Sequence, residues 1–149
     1  MRLTRARSAT LAASVALAAL LAACRTPTDA GPPPMNLVGA WQYDALQGDG
    51  SGTTISGTVT VTDQRGHELS GAYDVVERDT QGNTDRYAGP VSGLAVDSVS
   101  LDFDLLVYGV QRRHVAKRVA DTVSGQWYDQ TIGPLVASGT FRMVRRSTP

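Results

Sequence analysis

From Leu37 to the end of the chain, apolar and polar side chains alternate with a period of two, and turn-forming residues interrupt the alternation at short intervals. Antiparallel strands with one dry and one wet face read this way. The clearest run is Ile55 to Thr62, where Ile55, Gly57, Val59 and Val61 share one face and Ser56, Thr58, Thr60 and Thr62 the other. By the same parity Leu101, Phe103, Leu105 and Val107 point inward against Ser100, Asp102 and Asp104. Leu135, Ala137, Gly139, Phe141 and Met143 form the inward row near the C-terminus. No window of ten or more residues carries a helical stripe. Eight strands are predicted, at about 37–46, 53–62, 67–77, 86–95, 99–108, 112–119, 122–130 and 135–146.

Five of these strands contain one phrase: Ile55-Ser-Gly-Thr-Val59, Leu69-Ser-Gly-Ala-Tyr73, Val91-Ser-Gly-Leu-Ala95, Val123-Ser-Gly-Gln-Trp127 and Ala137-Ser-Gly-Thr-Phe141. Their uneven spacing excludes a solenoid. In each copy the glycine takes the inward parity, and a glycine inside a strand weakens it unless it serves a sharp bend or a close approach. Recurrent inward glycines suit a tightly curled, closed sheet. The fold class is therefore all-β, an eight-stranded antiparallel up-and-down barrel. A β-sandwich of the same strands is the alternative, because period-two patterning is common to both. Short connections around Gln64-Arg65-Gly66, Asp97-Ser98 and Ala120-Asp121 alternate with longer ones at 47–52 and 79–85. A meander puts the tight turns at one end and the long loops, with any mouth, at the other. The first strand then starts beside the tight turns.

The chain ahead of that strand has its own organisation. Arg2, Arg5 and Arg7, the uncharged run Ala9 to Leu21, and then small residues follow the order of a secretory signal. At thirteen residues the run is too short for a permanent membrane span. It ends in Leu21-Ala22-Ala23-Cys24, which resembles the lipobox of bacterial lipoproteins. The resemblance implies acylation of the Cys24 sulfur and cleavage just before it. Cys24 is the only cysteine, so no internal disulfide can form and its thiol is either a modification site or a reactive group. An ordinary secretory signal cut nearby, leaving a stray thiol, is the other reading. Each buried methylene adds roughly 0.8 kcal/mol to membrane binding, so several acyl chains anchor stably. Arg25 rather than aspartate after the cysteine implies, by the same resemblance, the outer membrane in a Gram-negative cell, facing the periplasm or the cell surface. The organisation expected is a signal peptide at 1–23, a lipidated cysteine and proline-rich tether at 24–36, and a barrel domain at 37–149. Extended at about 3.1 Å per residue, the tether reaches roughly 35–40 Å.

Removing the 23 leader residues leaves 126, enough for one domain with a modest core. They hold all 14 acidic residues but 11 of the 14 basic ones, a formal charge of −3 that argues against nucleic acid as a partner. There is no Gly-x-Ser-x-Gly elbow, no His-Glu-x-x-His, no phosphate-binding loop and no cluster of His and Cys, so no cofactor, no metal and no enzymatic activity is expected. His67, after Gly66, reads as a solvated turn residue. His114 stands in the densest positive run, Arg112 to Arg118. That run either meets anionic headgroups or an acidic partner, or, as preferred, faces Asp102 and Asp104 across a hairpin turning at Tyr108-Gly109-Val110. Its inward parity is open: Lys117 with Val115 and Val119, or His114 and Arg118 with Ala116. Glu77 shares the inward row of Leu69, Gly71, Tyr73 and Val75, and a buried charge needs a partner, which the sixth strand is expected to supply.

Gly39-Ala40-Trp41 in the first strand resembles the Gly-x-Trp that opens lipocalins and avidin-type barrels. The resemblance implies that Trp41 closes one end under an arginine of the last strand, Arg142 or Arg145, a cation–π contact of about 0.5–2 kcal/mol. The 113-residue domain is closer to an avidin in size, but it has two tryptophans where avidins line their pocket with several, so no ligand is carried over. Trp41, Tyr43, Tyr73, Glu77, Lys117 and Trp127 are the candidate lumen or ligand residues. Two functional classes follow. One is an envelope-anchored, non-enzymatic barrel binding a small apolar or amphipathic ligand or an envelope protein. The other is an interaction or structural lipoprotein with a filled barrel that recognises partners by its loops. The free volume inside separates them.

Overall fold

The alternating segments form eight strands: β1 (Gly39–Gln47), β2 (Thr54–Arg65), β3 (Glu68–Arg78), β4 (Thr84–Ala95), β5 (Ser100–Val107), β6 (Val110–Val119), β7 (Thr122–Gln130) and β8 (Ser138–Arg145). The computed structural model describes residues 35–107, 109–130 and 137–147. The expected signal peptide, Cys24, the expected tether as far as residue 34, Tyr108 and Leu135 lie outside the described residues. Each strand pairs antiparallel with the next, and β1 also pairs with β8, from Trp41↔Arg145 to Gln47↔Gly139. The sheet is thus a closed up-and-down barrel, not a sandwich, and no helix occurs among the described residues. Ile55, Val59, Val61, Leu101, Phe103, Leu105, Val107, Phe141 and Met143 are all buried on the face their parity predicts.

Closure depends on the repeated glycines. A Cβ at Gly71 would lie 2.0 Å from the Thr60 carbonyl oxygen, at Gly125 2.0 Å from that of Val115, at Gly139 2.0 Å from that of Leu46, and at Gly57 2.2 Å from that of Asp74. At Gly93 it would meet the Phe103 Cβ at 2.4 Å. At all five places the neighbouring strand occupies the space of a side chain, as a tightly curled sheet requires. A bulge between Val61 and Asp63 of β2, opposite Ser70 and Gly71, adds to the curl.

Two features differ from expectation. The β6 parity resolves against Lys117, which is exposed on the outer wall with Val115 and Val119, while Arg112, His114 and Ala116 are buried inside. The cause is the two-residue connection from Val107 to Val110, which sets Phe103 opposite His114 and Asp102 opposite Val115. Directly opposed residues share a face, so Val115 inherits the outward parity of Asp102. Met35 and Asn36, expected in the tether, belong to the barrel: Met35 is buried, and the Gln64 side chain donates to its carbonyl at 2.8 Å while accepting from the Leu37 amide at 2.9 Å. The chain therefore enters beside the tight turns at 66–67, 96–99 and 120–121, as the meander requires.

Candidate functional site

At the end with the tight turns, Trp41 is fully buried and its indole N–H donates to the Leu37 carbonyl at 2.9 Å. Arg145, not Arg142, lies over it, the guanidinium carbon 4.5 Å from the ring centroid. Arg145 also donates to the carbonyls of Val38 and Asn36, both at 2.8 Å. Gly39 has φ +133°, and a Cβ there would lie 3.0 Å from the Arg145 guanidinium, so the glycine of the Gly-x-Trp is required by backbone and lid together. The space beneath, among Trp41, Val59, Leu69, Phe103 and Met143, is about 10 Å³. That is at the lower limit for one water, and every lining side chain is apolar, so it stays dry.

The middle of the barrel is occupied by an aromatic plug around His114. Its ring stacks on Phe103 with centroids 4.4 Å apart and meets Phe141 edge-on at 4.8 Å. His114 Nδ1 faces the Arg112 carbonyl at 3.0 Å, and Nε2 faces the Tyr43 hydroxyl at 3.0 Å. A carbonyl only accepts, so Nδ1 carries the proton and Nε2 accepts from Tyr43. Burial, reinforced by the Arg112 charge, holds the imidazole down at about 3, and burial pushes the Tyr43 hydroxyl up. Both groups are therefore neutral across physiological pH, and each satisfies the other in a dry interior. Neither is open to solvent, so the couple orders the core and does not shuttle protons.

Towards the long loops, Arg112 is buried across from Asp129. Its Nε and Nη2 donate to the two Asp129 oxygens at 2.7 and 3.1 Å, and the guanidinium sits 4.2 Å above the Trp127 ring. Burial alone would make the Arg112 proton easier to lose, but the hydrogen bonds and charge of Asp129 outweigh it and the guanidinium is held still more firmly charged. The Tyr73 hydroxyl donates to the Leu106 carbonyl. Glu77 stands half-buried at the rim, its carboxyl pushed up by desolvation against the opposing pull of Arg112. The expected ion pair between Glu77 and the sixth strand is not formed among the described residues: Arg112 acts on Glu77 only through its charge and is clamped by Asp129 instead. Trp127 is fully buried, and its indole N–H has no hydrogen-bond partner among the described residues.

Of the six candidate lumen residues, Tyr43, Tyr73, Glu77 and Trp127 gather in the half of the barrel towards the loops, Trp41 closes the opposite end, and Lys117 is outside. The sequence reading misses Arg112 and Asp129 and leaves His114 as one of two inward alternatives. Their signal was in the turns: two-residue connections at 108–109 and 120–121 fix His114 opposite Phe103 and Arg112 opposite Asp129. The preferred pairing of the basic run with the acids of β5 holds for Arg113, whose Nε donates to both Asp102 oxygens at 3.0 and 3.1 Å on the outer wall, but not for His114. His67 is exposed in its turn, with Nδ1 2.5 Å from the Ala95 carbonyl. No group of three His, Cys, Asp or Glu side chains among the described residues is placed to hold a metal.

No family model matches the chain, and no curated protein matches it. Among solved structures it is similar to the barrel EF1p2_mFAP2b bound to DFHBI, at TM-score 0.59 and 13% identity over 74% of this chain and 94% of that one. It is also similar to a redesigned β-barrel, mFAP1, bound to DFHBI, at TM-score 0.54 and 14% identity over 74% and 94%. A de novo designed fluorescence-activating β-barrel aligns at TM-score 0.51 and 16% identity over 73% and 93%. At such identities the likeness carries the fold alone.

Proposed function

We propose that the chain is a non-enzymatic envelope lipoprotein, exported and acylated at Cys24, whose filled barrel serves as a rigid stem presenting its long loops to an envelope protein. The observation that carries this reading is the interior. The pocket beneath Trp41 is about 10 Å³, and the middle of the barrel is occupied by Tyr43, His114, Phe103 and Phe141 beneath the Arg112–Asp129 pair. Carriers of small molecules keep pockets of roughly 300–1,000 Å³. The lipobox resemblance supports export and anchoring, and Arg25 supports the outer membrane. Entry of the chain beside the tight turns supports loops that face away from the lipid.

A second reading has one observation in its favour. The unpartnered Trp127 indole N–H beside Arg112 is a polar group that a small ligand at the loop end would satisfy. Two similar barrels are bound to DFHBI. Titrating the purified mature protein with a fluorescent fatty-acid analogue separates the two. The filled stem gives no saturable binding. One-to-one uptake with quenching of tryptophan, reversed by unlabelled fatty acid, would rule out the stem and establish the carrier.

A further inference from the structure

Eight large apolar side chains are exposed among the described residues, and two of them, Leu46 and Leu106, lie towards the long loops. The other six, Val38, Leu94, Val96, Val99, Val115 and Val119, lie on or towards the end where the chain enters. Five of these stand on the outer wall at that end, interspersed with Lys117 and the Arg113–Asp102 pair. Leu94, Asp102, Val115 and Gln126 are successive register partners across β4, β5, β6 and β7. Just beyond that row, the Val99 carbonyl accepts from the Arg118 amide at 2.7 Å, which sets Val99 opposite Arg118 and one residue along from Val119. A groove of about 480 Å³ opens between Val96, Asp102, Val115, Lys117 and Gln126. The outer face of β2 carries Ser56, Thr58, Thr60 and Thr62 at the equivalent positions, so solubility does not call for valines here. Exposed apolar side chains gathered at one end and bordering such a groove point to a contact surface.

We propose that this rim, formed by the β4–β5 and β6–β7 turns and the adjoining wall, is a seat on the headgroup boundary of the lipid bilayer. The inference rests on acylation of Cys24. Ten residues separate Cys24 from Met35. Fully extended they span at most about 35 Å, and they deliver the chain to the end of the barrel that bears the patch. The groove rim is of mixed charge: exposed Lys117 and Arg142 stand on the same outer wall as Asp102 and Asp121, so the attraction is apolar rather than polybasic. Valine side chains at turn tips reach only the boundary layer, which suits an amphipathic surface contact rather than insertion. Seating this rim fixes the tilt of the barrel and aims the loop end into the compartment.

The lipidated mature chain is reconstituted into phosphatidylcholine vesicles with a polarity-sensitive fluorophore on Val119→Cys or, at the opposite end, on Gln81→Cys. Both positions are exposed, and acylation of Cys24 leaves the introduced thiol unique. Flotation reports the anchor; quenching by lipids carrying a nitroxide at the headgroup reports the seat. The seat gives several-fold stronger quenching at Val119→Cys than at Gln81→Cys, unchanged in high salt and on tenfold dilution of protein in lipid. Equal, weak quenching in protein that floats overturns the seat and leaves the anchor standing. Loss of the difference on dilution assigns the patch to a second copy and overturns the seat. Failure to float overturns anchor and seat together.

Discussion

Gly71 offers the sharpest test of how this barrel closes. It sits on the inward row of β3 between Leu69 and Tyr73, paired with Val61 of β2 and Val91 of β4. A Cβ there would lie 2.0 Å from the Thr60 carbonyl oxygen and 2.9 Å from both the Thr60 carbonyl carbon and the Val61 Cα, all of them backbone. Ordinary contact begins near 3.4 Å, so Gly71→Ala demands a displacement of more than an ångström between two hydrogen-bonded strands, with no flexible side chain to give way. Overpacking of this kind costs about 1–3 kcal/mol or somewhat more, against the few tenths that alanine gains over glycine in the unfolded chain. The control is Ala72→Val, the next residue on the same strand but exposed on the outer wall, where a larger side chain changes stability by within about 0.5 kcal/mol. Urea unfolding followed by tryptophan fluorescence measures both. Equal, small effects at the two positions would refute the claim that the repeated glycines are where neighbouring strands touch.

The buried ion pair yields a second prediction. Asp129→Asn strips the charge partner from Arg112 and should destabilise by about 3–5 kcal/mol, whereas the apolar pair Arg112→Met with Asp129→Leu should fall within about 1 kcal/mol of the parent in the same assay. A third concerns pH. His114 is held at about 3 in the folded state by burial, which outweighs the opposing hydrogen bond to the Arg112 carbonyl, and would titrate at about 6.5 unfolded. Between those values the unfolded chain binds more protons, so the stability that the neutral ring contributes is present above about pH 6.5 and is lost as pH falls towards 3, by up to about 1.4 kcal/mol per unit. Unfolding free energies at a series of pH values should show this slope in the parent and not in His114→Gln; identical slopes would mean that the ring protonates freely in the fold.

Much of the architecture was legible because a strand with one wet face writes its parity into the sequence. Ile55 to Thr62 and Leu101 to Val107 left no choice of face, and the Ser-Gly phrase marked the contact points of a curled sheet. β6 was opaque for a physical reason: basic residues occupy both parities from Arg112 to Arg118, so hydrophobicity casts no vote. The deciding information was geometric, in the lengths of the two turns flanking β6. Counting across them assigns Val115 and Lys117 to the outside, and pairs Arg112 with Asp129. The role of the aromatic residues was out of reach. Whether Tyr43 and Trp127 line a pocket or fill it depends on how rings from β1, β5, β6 and β8 interleave around His114, and no linear pattern encodes that volume.

Intact mass spectrometry under native conditions, on protein extracted from its own cell membranes in mild detergent, tests the central claim most directly because it reads the anchor and the interior together. The expected species is the chain from Cys24 onward carrying the mass of its acyl groups and nothing more. An unmodified N-terminus would contradict the anchored stem, and a retained small molecule lost on denaturation would contradict the filled barrel.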